Sequence, residues 1–187
     1  MNDAIELRAS YWQHEAEDEF LDLDGFQQIV GDTERRGIDL GANIAVTDRM
    51  DVWLNYGIVD SEITNPYTAE RAANAGIAGN ELRSIPEYTA SIGTSYDISS
   101  QLTGRIHVDS QGDYYVNEEN VGGKFGGYTI VNASIDYDAS WGNLNFQINN
   151  LFDEFYEYVY DFTSDGGLTV HSPGDGINAS LTYSYGF

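Results

Sequence analysis

The stretch "NLNFQINNLFDEFYEYVYDF" (143–162) constrains the fold more than any other. Leu144, Phe146, Ile148, Phe152, Tyr156, Tyr158, Tyr160 and Phe162 share one parity, and Asn143, Asn145, Gln147 and Asn149 share the other. Successive side chains of an extended chain point to opposite faces. The pattern therefore predicts a strand with one greasy, aromatic face and one amide face. Read as one strand it fills the whole stretch, whereas strands of soluble proteins average about five or six residues.

The same period recurs along the chain and predicts eight strands, roughly 4–16, 34–47, 50–63, 88–98, 101–116, 127–139, 143–162 and 176–187. One parity carries residues such as Ile38, Leu40, Ala42, Ile44 and Val46, or Ile177, Ala179, Leu181, Tyr183 and Tyr185. The opposite parity is Asn, Ser, Thr, Gly, Gln and Asp. A soluble sandwich would carry many Lys, Glu and Arg on its outer face. Small polar side chains suit a wet lumen instead, with lipid on the apolar side. Tyr56, Tyr96, Tyr137, Tyr156, Tyr183 and Phe187 sit near strand ends on the apolar parity, where interfacial aromatic girdles form.

The links alternate in length. "TDRM", "DISSQ" and "DASWGN" are tight, while "EFLDLDGFQQIVGDTE", "NPYTAERAANAGIAGNELRSIPE", "NEENVGGKFG" and "TSDGGLTVHSPGD" are long. Short turns at one end and long loops at the other define an outer-membrane barrel layout. The predicted fold is all-β: an antiparallel transmembrane β-barrel of eight long strands, either part of a larger barrel or a small closed one. A soluble sandwich or a lipocalin-like barrel is the competing fold.

Charge narrows the function. Eight Lys and Arg stand against 31 Asp and Glu, a formal charge of -23, which argues against nucleic-acid binding. Hydrophobic residues at 41% argue against acidic disorder. There is no cysteine, so no disulfide or thiolate metal site. The start "MNDAIELRASYW" has neither a basic region nor an apolar run, and no signal peptide is expected in it. No constellation for nucleophilic catalysis or for a metal stands out, so neither enzyme chemistry nor a cofactor is expected. "LDLDG" (21–25) reads as an acidic surface loop and "GGKFGG" (122–127) as a turn. Arg105, His107 and Asp109 share the lumen parity of the fifth strand and are candidate ligand contacts, or plain lumen wall. Tyr67, Tyr114, Tyr115, Tyr158 and Tyr160 lie toward the long loops and outer strand ends and are candidates for stacking on a ligand, or for a girdle or packing role.

Several segments resemble TonB-dependent outer-membrane receptors in that family's own order. They are "VGDTERRGIDLGANIAVTDRMDVWLNYGIVDSEI" (30–63), "GNELRSIPEYTASIGTSYDI" (79–98), "GYTIVNASIDY" (127–137), "NFQINNLFDEFYEY" (145–158) and "SPGDGINASLTYSYGF" (172–187). The asparagine pair with Leu151, Phe152 and Asp153 is the most characteristic piece. The resemblance implies the last eight strands of a barrel that normally has twenty-two. It further implies uptake of a scarce nutrient, most often an iron chelate, in the outer membrane of a Gram-negative cell. Expected partners are a small-molecule ligand, lipid and lipopolysaccharide, and the barrel-assembly machinery, which would read Tyr183, Tyr185 and Phe187. TonB would be reached only through a plug domain, and no plug is recognised in residues 1–187. A stand-alone structural barrel without active transport is the alternative.

Overall fold

A lipid-facing sheet must pair every backbone N–H and C=O with a neighbouring strand, because hydrocarbon offers no partner. The computed structural model describes residues 4–23, 26–66, 76–161 and 169–186, and their main sheet meets that demand. The strands are β1 (Ile5–Leu23), β2 (Phe26–Thr47), β3 (Met50–Pro66), β4 (Tyr88–Asp97), β5 (Leu102–Gln111), β6 (Tyr128–Ala139), β7 (Gly142–Asn149), β8 (Glu157–Asp161), β9 (Thr169–Pro173) and β10 (Asn178–Ser184). Eight form one antiparallel sheet in the order β1-β2-β3-β4-β5-β6-β7-β10, and β8 and β9 form a separate pair. Within the described residues β1 and β10 are hydrogen-bonded on one side only, so the sheet is an open wall.

The register keeps each face uniform. Ile5, Ile44, Val52, Thr94, Ile106, Ala133, Ile148 and Ala179 line up as direct partners across all eight strands. On the opposite face Glu6, Asn43, Trp53, Gly93, His107 and Asn132 line up in the same way. A one-residue slip would exchange these two sets, so each strand's parity fixes its pairing. The apolar face is bare, with Leu7 72% and Leu181 68% exposed, as a surface made for lipid must be when lipid is not counted.

The edges of the apolar band are sharp. Tyr11, Ile38, Ile58 and Tyr88 form its last row toward the long links, and the next row is Gln13, Arg36 and Asp60. At the short-turn end Trp141 lies between Tyr137 and Tyr183, at ring distances of 6.2 and 6.0 Å. At the other edge Tyr56 and Tyr88 stack at 6.1 Å. Tyr96 stands exposed at the short-turn end as expected for a girdle. Tyr156 does not join a girdle: it packs against Tyr128 at 4.8 Å, beyond the sheet. Phe187 and Tyr67 lie outside the described residues.

Three expected boundaries move. Residues 17–23 and 26–33 are not a loop, because β1 and β2 continue as a paired ribbon to Leu23↔Phe26. A bulge between Ala16 and Glu19, with Asp18 at φ 49°, shifts the alternation there and hides the strand in the sequence. The fifth strand stops at Gln111, so residues 112–116 belong to a link. The stretch 143–162 is not one strand. It breaks after Asn149, where Asn150 and Asp153 take left-handed φ values of 50° and 54°. Asn and Asp enter that region more readily than other non-glycine residues.

No interior apolar core is found among the described residues. Buried apolar side chains instead form two small clusters at the long-link end: Val30, Ile63, Ile77 and Leu82, and Tyr114, Val116 and Val159. The β1–β2 ribbon is pinned by Arg35, whose guanidinium lies 2.6 Å from Glu19, and by the Thr33 hydroxyl donating to the same carboxylate. Partial burial raises the Glu19 pKa. The hydrogen bonds from Arg35 and Thr33, with the Arg35 charge, outweigh it and leave the pKa below the ordinary 4.5.

Two predictions follow from this wall. Phe146→Arg puts a charge on the lipid face, at a cost of about 2–4 kcal/mol near the midplane, whereas Asn145→Arg adds one to the wet face. Outer-membrane yield falls sharply for the first and little for the second; equal losses would refute the face assignment. The depressed Glu19 pKa means its pairing stabilises the ribbon above the unfolded value and fails as pH falls through the folded one. Amide protection at residues 15–23 and 27–35, taken relative to the intrinsic exchange rate at each pH, therefore falls below about pH 4.5, and Glu19→Gln removes that acid dependence.

Candidate functional site

β5 carries Arg105, His107 and Asp109 on the polar face, opposite Ser134, Asn132 and Ile130 of β6. The three do not form one site. Arg105 is spent on an ion pair with Asp136. His107 and Asp109 are joined through Asn132, which is 5% exposed. Asn132 Nδ2 donates to Asp109 Oδ2 at 2.8 Å and lies 3.1 Å from His107 Nε2. His107 Nε2 also lies 3.3 Å from Asp109 Oδ2. The imidazole thus has two settings: unprotonated at Nε2 it accepts from Asn132, and protonated there it faces the carboxylate. On its other side the ring meets Trp53 at 6.4 Å, tilted by 43°. Trp53 lies flat over Gly93, where a Cβ would sit 2.1 Å from the indole. The glycine is what lets the indole lie along the wall.

Asn132 also reaches beyond the sheet. Its Oδ1 accepts from the Asn150 backbone N–H at 2.9 Å. The Asn150 side chain then ties the turn, accepting from Glu154 N at 2.8 Å and donating to Glu154 O at 2.8 Å and Asp175 O at 3.2 Å. Asp153 Oδ1 accepts from Ile177 N at 2.8 Å. A chain of polar contacts therefore runs from His107 to the turn that leads into β8. Asn132 and Trp53 escape sequence reasoning, and Asn150 stands out there only as part of the family-like asparagine pair. A long link separates β5 from β6, so the register that sets His107 against Asn132 cannot be counted from the sequence.

Above the apolar band the links are tied to one another. Lys124 Nζ bonds Glu81 at 3.0 Å, pairs with Glu87, and sits 4.9 Å over the Tyr115 ring. Burial opposes the Lys124 charge, but the bonds to Glu87 and Glu81 outweigh it and hold its pKa above the ordinary 10.5. Asn120 exchanges hydrogen bonds with the Glu81 backbone at 2.7 and 2.9 Å, and Arg83 meets Glu118 at 3.0 Å. A cleft of about 500 Å³ opens beside this link, bordered by Glu87, Asp113, Glu154, Tyr88 and Tyr128. Of the candidate stacking tyrosines, Tyr114 is buried, Tyr115 lies under Lys124, Tyr158 packs edge-on to Tyr128 at 6.4 Å, and Tyr160 is exposed. Tyr183 lies in β10 with its hydroxyl donating to the Trp141 carbonyl at 2.8 Å, and Tyr185 is exposed just past the strand.

Strands such as the ten-residue β4 and β5, about the length that crosses a bilayer, with an apolar face and a polar opposite face, make this sheet the wall of an outer-membrane β-barrel. The chain belongs to the TonB-dependent receptor-like β-barrel family, whose model matches residues 1–151. It is 25% identical to the probable TonB-dependent siderophore receptor PiuA of Acinetobacter baumannii over 194 aligned positions, covering 99% of this chain and 25% of that protein. It is 27% identical to the ferrichrome outer membrane transporter/phage receptor of Escherichia coli, over 67% of this chain and 17% of that one. Its fold superposes on the PiuA crystal structure with a TM-score of 0.78 at 23% identity, over 97% of this chain and 26% of that chain. On the ferric yersiniabactin uptake receptor FyuA of Yersinia pestis the values are 0.77 and 21%, over 97% and 27%. The chain thus spans about a quarter of the length of PiuA. Membership places it in the outer membrane of a Gram-negative bacterium, and the proteins it matches are receptors and transporters.

Asn132→Leu keeps the volume but removes three hydrogen bonds and strands a buried N–H. It should cost about 1–3 kcal/mol, read as a lower temperature for loss of the compact band in heated SDS–PAGE. Asn145→Leu, on the same face but more open, should shift it much less.

Proposed function

We propose that the chain is a section of barrel wall in a longer TonB-dependent receptor that imports an iron chelate. The observation that carries this reading is the two-faced, eight-stranded sheet whose two outer edges, among the described residues, are free to continue. An unpaired strand edge cannot face lipid, so such a sheet calls for further strands on each side. Three relatives point to the substrate class: a siderophore for PiuA, ferrichrome for the Escherichia coli transporter, ferric yersiniabactin for FyuA.

In this reading the polar face lines the uptake channel. His107 and Asp109, held by Asn132 and left partly open, contact the passing ligand, and Arg105 contributes through its pair with Asp136. A plug domain elsewhere in the receptor fills the lumen and couples it to TonB. The barrel-assembly machinery reads the alternating aromatics Tyr183, Tyr185 and Phe187, and lipid and lipopolysaccharide cover the apolar band.

The test uses cells whose other iron receptors are deleted. Radiolabelled uptake of ferrichrome, ferric citrate and a ferric catecholate is measured with and without the receptor carrying this segment, and with and without TonB. At least one chelate should enter only when both are present. Uptake of none, or uptake independent of TonB, would overturn the reading. His107→Ala with Asp109→Ala should weaken binding of that chelate by roughly tenfold, or about 1.4 kcal/mol, measured per folded barrel.

A further inference from the structure

β8 and β9 pair only with each other among the named strands, and a two-stranded ribbon is marginal alone in water. Yet Val159, in the middle of β8, is 0% exposed. Its backbone N–H donates to the Tyr114 hydroxyl at 3.1 Å, and its carbonyl accepts from the same hydroxyl at 3.2 Å. An N–H has one hydrogen, so this one is not spent on β9. One phenol therefore takes both places that a third strand would fill. We propose that Tyr114 is a positioning residue that clasps the free edge of β8 and fixes the β8–β9 ribbon against the 112–127 link.

Further contacts put the clasp where it can hold. Tyr114 exchanges backbone bonds with Phe125 at 2.8 and 2.9 Å, so the phenol rises from a braced turn. Its ring covers Gly126, where a Cβ would sit 2.1 Å from the ring, and φ there is 81°. Phe125 meets His171 of β9 edge-on at 6.0 Å, and Tyr128 packs on Tyr156 beside the ribbon. The 112–127 link is in turn tied to residues 80–87 through Lys124 and Asn120. The ribbon thus becomes a fixed part of the outer mouth. Burial pushes the Tyr114 phenol up despite its bond to Val159, so it keeps its proton near neutral pH.

The clasp is independent of what the barrel carries, so its test needs no ligand. Tyr114→Phe keeps the ring over Gly126 and removes only the hydroxyl. Hydrogen exchange of the intact protein in detergent is followed for the peptide spanning residues 155–161 and for β7. In Tyr114→Phe the Val159 amide should exchange roughly 5- to 30-fold faster, the factor for a buried group left unpaired, with β7 unchanged. Tyr115→Phe, which keeps the ring beneath Lys124, should leave both unchanged. If the Val159 amide exchanges in Tyr114→Phe as in the parent, the clasp is refuted. If β7 accelerates to the same extent, the effect is global and the positioning role is refuted too.

Discussion

Hydrocarbon accepts no hydrogen bond, and most of this structure follows from that. Each backbone group within the bilayer has to find its partner in the next strand, so the ladder must run sideways without a gap. A sideways ladder has two faces and no interior. One face meets lipid and the other meets water or further protein, which is why Ile5 to Ala179 forms an unbroken apolar row behind the polar row from Glu6 to Asn132. In such a wall apolar burial stabilises nothing until lipid is present. The buried apolar clusters of Val30, Ile63, Ile77 and Leu82, and of Tyr114, Val116 and Val159, accordingly lie beyond the band, where water restores the hydrophobic effect.

Leaving the bilayer also changes how charge is handled. Arg36 and Asp60 pair at 2.6 Å in the first row above the apolar edge, where an unpaired charge facing hydrocarbon would be costly. Further out, Arg35, Arg83 and Lys124 each meet carboxylates and tie segments together. With few basic residues against many acids, the cations serve as cross-links in an acidic rim.

The wall was legible in the sequence because lipid imposes a period of two with few exceptions. Eight strands, both faces and the three tight turns at 48–49, 98–101 and 140–141 could be read from alternation alone. Legibility failed wherever that period was interrupted for a local reason. The bulge at Ala16–Glu19 shifts parity, and the ribbon beyond it looked like a loop. From Asn149 to Tyr156 polar and apolar residues fall in adjacent pairs, a lapse in the alternation that marks the left-handed turn at Asn150 and Asp153 but is masked by the strong parity on either side. Of the candidate site, the shared face of Arg105, His107 and Asp109 was readable. Their division between Asp136 and Asn132 was not, because cross-strand register over a long link leaves no trace in either strand.

This contrast separates two kinds of sequence requirement. Inside the band the backbone carries most of the hydrogen bonds, and a side chain need mainly match the solvent on its face; Thr94 can stand in an aliphatic row because its hydroxyl donates to the Asp51 carbonyl at 2.9 Å. Outside the band water competes for the backbone and the ladder gives out. There single side chains complete the bonding: Asn150 for the turn after β7, Asn120 for the 76–87 segment, Tyr114 for the edge of β8. Each supplies both a donor and an acceptor to one backbone segment, as a neighbouring strand would. The wall is therefore specified by pattern and the mouth by particular residues. A substitution that preserves polarity is tolerated in the first and not in the second.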